Sequence, residues 1–192
     1  MHTESLFFIA LLPPPAIQEY AIEVKSYFDQ YYASRHALKS PPHITLQPPF
    51  QWRHDRFAAL SDSINAFARS QSSIPITLNG FGAFPPRVIY INVDRTDALL
   101  TLHQKFIEHL EASIELSDPR EKSRPYAPHM TVAFRDLTKE NFKLAWQEFK
   151  ERSLHFEFIA SHLTLLKHDG QQWRIHSEFP FSMEMEEKKC NN

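Results

Sequence analysis

Cysteine, glycine and positive charge are all scarce in this chain of 192 residues. Its one cysteine, Cys190, stands in the polar end EMEEKKCNN with no second cysteine to pair with. That excludes an internal disulfide scaffold and favours a reducing, cytoplasmic setting. The three glycines, Gly80, Gly82 and Gly170, are too few and too scattered for a glycine-rich phosphate loop. Walker and Rossmann nucleotide binding are therefore excluded. A formal charge of -2 provides no overall positive field to gather long nucleic acid. DNA is not an expected partner, and RNA would be gripped at an end or as a fragment. The apolar run LFFIALL at 6–12 stops at proline after seven residues and has no basic leader before it. It is too short to span a membrane and poor as a signal peptide, so no membrane partner is expected.

What remains is ordinary globular composition, 42% hydrophobic and 23% charged, in a chain long enough for one sizeable core. Nine of the fourteen prolines cluster at 13–15, 41–42, 48–49 and 85–86, where they mark element boundaries. LFFIALL reads as a buried strand. Ile17, Tyr20, Ala21, Val24 and Phe28 recur at helical spacing from Pro15 to Tyr32. HITL at 43–46 predicts a short strand fenced by prolines. A helix follows from Asp55 to Arg69, then strands over 73–80 and 87–93. A third helix runs from Asp97 to Ala112, and a polar loop over 117–128 leads into the strand HMTVAF. Thr138 is a plausible N-cap for a helix to Arg152, and three strands, LHFEFI, HLTLLKH and QWRIHSEF, complete the chain.

The order of elements repeats. FFIALL, a helix and HITL match VIYINV, a helix and HMTV, and a further helix and strands follow each histidine. An internal duplication accounts for this order. It predicts one two-lobed domain over 1–181, with 182–192 as a mobile polar tail.

Within the repeat, His-x-Thr occurs twice, as PHITL at 42–46 and PHMTV at 128–132. Side chains alternate along a strand, so His43 and Thr45 share one face while Ile44 and Leu46 share the other. His129 and Thr131 stand in the same relation to Met130 and Val132. Two lobes related by a pseudo-twofold axis would bring both polar faces into one cleft. An imidazole titrating near 6.5 serves as acid or base, and attack at phosphorus needs one of each. Threonine hydroxyls suit the non-bridging oxygens. A single His-x-Thr is more often a polar strand pair than a site; two in matching places reverse that weighting. No metal or cofactor is needed by this scheme. The other nine histidines lack ligand-like spacing; His103 and His109, six apart on a helix, do not share a face. On the loop before His129, Arg124 and Tyr126 are candidates for substrate contact, Tyr126 being equally suited to anchoring the loop. Phe7 and Phe134 read as core.

The paired motifs, RPYAPHMTVAF at the second of them, and the opening FFIALLPPP resemble the 2H phosphoesterase superfamily, which includes the 2'-5' RNA ligase-like proteins. The resemblance runs from Leu6 to about Phe181. It implies an α+β fold of two pseudo-twofold-related lobes with antiparallel sheets and flanking helices. It also implies metal-independent opening of a 2',3'-cyclic phosphate, on a nucleotide or RNA end, to a 2'-phosphate. His43 and His129 would then carry the acid and base roles, and Thr45 and Thr131 the phosphate contacts. Joining of RNA ends through a 2'-5' bond and binding without turnover are the alternatives. A monomer is expected. Ligase-like members often carry arginine five residues after the second histidine; here Phe134 holds that position and Arg135 follows, which leaves the substrate more open than the chemistry.

Overall fold

Strand β1, Glu4–Leu11, carries the LFFIALL run and divides it by parity. Phe7, Ile9 and Leu11 enter the main core, while Phe8, Ala10 and Leu12 pack with Leu166 on the opposite face. The computed structural model describes residues 3–117 and 125–182. After β1 come α1 (Pro15–Tyr32), a 3-10 turn (His36–Lys39), β2 (Ile44–Arg53), α2 (Phe57–Arg69), β3 (Ile74–Phe84) and β4 (Val88–Val93). Then follow α3 (Asp97–Ile114), β5 (His129–Ala133), α4 (Lys139–Phe149), β6 (His155–Ala160), β7 (His162–His168) and β8 (Trp173–Pro180). Thr138 caps α4 as expected, its hydroxyl accepting from the backbone N–H of Asn141 at 3.1 Å.

The strands form two antiparallel four-stranded sheets, ordered β2-β1-β7-β8 and β5-β4-β3-β6. The fold is thus α+β with two matching lobes, but the lobes are not the two halves of the chain. The β3–β4 pair, grouped by sequence order with the first half, builds the second sheet, and β7 and β8 complete the first. The helices exchange as well. α1, which joins β1 to β2, packs on β5 and α4, with Phe28 4.6 Å from Phe149 between ring centroids. α3, which joins β4 to β5, packs on β2 and beside α2. The aliphatic side of each motif strand is therefore covered by a helix from the other half. Each helix completes a core that its own strands leave open, and buried residues of both sheets form one contiguous cluster.

Two boundaries differ from the sequence reading for physical reasons. β2 continues through Pro48 and Pro49 to Arg53, because it is the outer strand of its sheet and its free edge asks for no N–H donors. β3 continues past Asn79 because its register shifts between Leu78 and Phe81, where Gly80 takes a left-handed φ of 68°. At the C-terminal end, Ser182 belongs to the folded part, its N–H donating to the Gln71 carbonyl at 2.9 Å. The tail assigned beyond it, with Cys190, lies outside the described residues. Among the described residues no helix is long and apolar enough to cross a membrane.

Candidate active site

Each motif histidine stands at the head of a strand, and each is held by the same backbone device. His43 Nδ1 lies 2.7 Å from the carbonyl oxygen of Pro41, and His129 Nδ1 lies 2.8 Å from that of Ala127. A carbonyl can only accept, so Nδ1 carries the hydrogen in both rings and Nε2 is left with a free lone pair. The proline before each histidine has a role in this. It biases the residue preceding it to extended backbone, the conformation that turns a carbonyl at i−2 toward the ring. The sequence signature Pro-His-x-Thr is thus a rule for orienting an imidazole.

The symmetry extends past the histidines. Thr45 pairs with Ala10, but the next pairing is Gln47 with Ile9; Thr131 pairs with Tyr90, and the next is Ala133 with Ile89. Both strands bulge by one residue directly after the motif threonine. A bulge reverses the facing of everything beyond it. Val132 and Ala133 are consequently both fully buried, and Phe134 swings out to line the cleft instead of entering the core. The expectation that Phe134 is core was wrong for this reason: strict alternation does not survive a bulge. Phe7 is core as expected, and its neighbour Phe8 lines the cleft.

The two lobes enclose a cleft of about 1220 Å³, and His43, Thr45, His129 and Thr131 all line it. All four predicted motif residues are thus brought together. Aromatic rings surround both imidazoles. Phe8 lies 4.6 Å from His43, and Trp173 packs edge-on to Phe8 at 4.6 Å. Phe84 and Tyr90 lie 5.1 and 5.2 Å from His129. The Tyr90 ring reaches its place by crossing β3 at Gly82, where a Cβ would overlap it.

This apolar setting disfavours the charged form of both rings. Burial pushes His43 down to about 4, assisted by the nearby ammonium of Lys25 and opposed by the bond to Pro41, with His129 adding a small repulsion. Burial also lowers His129, opposed by the bond to Ala127. Lys25 is a residue that sequence reading did not single out. It lies 1% exposed on the inner side of α1 and donates from Nζ to the Ser40 carbonyl at 2.9 Å.

The remaining predicted contacts fare differently. Arg124 lies outside the described residues. Tyr126 is not among the residues lining the cleft. Its hydroxyl donates to the Thr45 carbonyl at 2.8 Å, and its ring stacks on His103 at 3.6 Å and 1°. These contacts set it behind the motif strand, which it braces. Arg135, displaced by one position from the expected arginine, does line the cleft, together with Lys39 and Trp173. No sequence period marks these three, because they come from a turn, a strand end and a distant hairpin. Among the described residues there is no group of three or more His, Cys, Asp or Glu side chains that could hold a metal ion.

The chain is similar in sequence and in fold to known proteins. A "Putative phosphoesterase" of Geobacillus kaustophilus is 28% identical over 174 residues, covering 89% of this chain and 93% of that protein. One of the same name from Bacillus pumilus is 25% identical over 176 residues, covering 89% and 94%. Among solved structures, LigT of E. coli complexed with 3'-AMP superposes with a TM-score of 0.67 at 17% identity, covering 94% of this chain and all of that one. TT0787 of Thermus thermophilus superposes at 0.66 and 18% identity, covering 93% and 99%. At such identities the two structures establish the shared fold. The sequence profile of the 2'-5' RNA ligase superfamily matches residues 13–172, spanning both His-x-Thr motifs. The chain therefore belongs to the 2'-5' RNA ligase superfamily.

Proposed function

We propose that the cleft hydrolyses a 2',3'-cyclic phosphate at the end of a nucleotide or RNA, through its two histidines and without a metal ion. The observation that carries this reading is the pair of imidazoles lining one cleft, each fixed by a backbone carbonyl so that Nε2 is its reactive nitrogen. The roles follow from electrostatics. Lys25 stands near His43 and disfavours its imidazolium; among the causes that move His129 there is no such cation. His43 is then the base and His129, once a phosphate anion lies beside it, the acid.

His43 Nε2 takes a proton from water as the water oxygen forms a bond to phosphorus. The bond from phosphorus to the 3'-oxygen breaks, and His129 gives its Nε2 proton to that oxygen, leaving a 2'-phosphate. The Thr45 and Thr131 hydroxyls donate to the non-bridging oxygens as charge builds there. Solvent then reprotonates His129 and removes the proton from His43. The fold shared with LigT, which was crystallised with 3'-AMP, supports a nucleotide-sized occupant.

Purified protein should open adenosine 2',3'-cyclic phosphate in the presence of EDTA. Replacing His43 or His129 with alanine should each lower kcat about 10²- to 10⁴-fold, the usual share of a general acid or base. Full activity in the double variant would sink the assignment.

A further inference from the structure

The chain carries a net charge of -2, yet the mouth of its cleft is positive. Among the described residues, Arg35, Lys39 and Arg135 line it against one carboxylate, Asp29. That carboxylate is engaged by Arg35, whose Nε donates to Asp29 Oδ1 at 3.2 Å. Among the described residues neither Lys39 nor Arg135 forms an ion pair. Two uncompensated cations on the wall of a concave site make a standing positive potential.

Their positions are fixed by the fold. Arg135 holds a left-handed φ of 61°, a conformation that a non-glycine residue keeps only where its surroundings enforce it. The next residue supplies the enforcement. Asp136 Oδ1 accepts from Ser34 Oγ at 2.8 Å, and Oδ2 accepts from the backbone N–H groups of Arg35 and His36 at 3.0 and 2.9 Å. This ties the turn bearing Lys39 to the end of β5, so that both cations stand on one wall. The Arg135 guanidinium lies 5.4 Å over the Phe134 ring, and its Nη1 donates to His36 Nε2 at 3.4 Å. The same convergence is felt at His36, which burial and then the charges of Arg135 and Lys39 push down, against Asp136.

Lys39 and Arg135 line the same cleft as the two His-x-Thr motifs. Arg135 is four residues beyond Thr131, at most about 13 Å of backbone at roughly 3.3 Å per extended residue and less across the bulge, a span that an arginine side chain can partly cover. Resting on the cyclic phosphodiesterase reading above, we infer that Lys39 and Arg135 form a second anion subsite for a further phosphate group on the same substrate. A ribose whose 2'- and 3'-oxygens share the cyclic phosphate can carry another only on its 5'-oxygen. The favoured substrates are therefore 5'-phosphorylated nucleotides or RNA ends, with a bare nucleoside cyclic phosphate as the poorer substrate.

Calorimetric titration with adenosine 3',5'-bisphosphate and with 3'-AMP separates the two phosphates without requiring turnover. The bisphosphate should bind wild-type protein about tenfold more tightly at low salt, as charge-assisted contacts to one extra phosphate would give. The Lys39→Met, Arg135→Gln double variant should bring that ratio to about one. Lys39→Met alone, at an exposed position, should lower it about threefold and serves if the double variant does not fold. Equal binding of the two nucleotides by wild-type protein, or a preference that survives the substitutions, overturns the second subsite while leaving the histidine-pair reading intact. Failure of both nucleotides to bind overturns both.

Discussion

Lys25 donates a hydrogen bond from Nζ to the Ser40 carbonyl at 2.9 Å, linking the buried side of α1 to the segment that leads into His43. The residue after Ser40 is Pro41, whose carbonyl holds the His43 ring. Burial alone pushes the lysine down to about 7. Two imidazoles that are alike in backbone setting thus differ in their electrostatic surroundings, the asymmetry on which the proposed assignment of base and acid rests.

Lys25→Met tests that asymmetry. Removing the cation favours the His43 imidazolium, so the acidic limb of kcat/KM should move to higher pH while activity is retained. Stability should change little, because an apolar side chain replaces a desolvated amine and the cost is one Ser40 carbonyl left without a donor. An unmoved acidic limb would show that Lys25 does not act through His43.

The pH dependence of the wild-type enzyme has a definite sign. On the proposed roles, activity requires His43 neutral, which holds above about 4, and His129 protonated, which fails as pH rises through its lowered value. The kcat/KM bell of the free enzyme should therefore peak on the acidic side of 6.5. A maximum above pH 7 in steady-state assays contradicts the proposed roles.

Gly82→Ala should disturb the site from a distance. A Cβ there overlaps the Tyr90 ring, which must move against Phe84 and His129. Overpacking of this kind costs about 1–3 kcal/mol. Urea denaturation should register that loss together with reduced kcat, and a fully active, fully stable variant would mean that the Tyr90 wall does not position His129.

His103 sits behind the other motif strand, buried, stacked on Tyr126, with Nε2 lacking any hydrogen-bond partner. Burial pushes it down to about 4, opposed by the Leu46 backbone. Its folded-state value is thus below the unfolded one, so the stability it contributes is present above pH 6.5 and is lost as pH falls toward 4. The full loss is about 3 kcal/mol. His103→Phe should keep the stacking and flatten the fall in urea midpoint between pH 7 and 4.5; an unchanged slope would place the titration elsewhere.

The amino-acid order alone was enough to pair PHITL with PHMTV, because a strand's two-residue period and the residue types at each place are local properties. It also placed the helices and the Thr138 cap, which rest on short-range spacing and one side-chain hydrogen bond. Only the tertiary structure decided what depends on contacts between distant segments. The exchange of α1 and α3 follows from which open sheet each apolar helix face can cover. The placing of Phe134 follows from a bulge that is defined only by pairing with β4. Lys25 and Lys39 carry no local mark, since their importance lies in what folds against them. The inequality of the two histidines belongs to the same class: their motifs are near copies, and the charge that sets them apart is that of Lys25, tied through Ser40 to the segment that leads into His43.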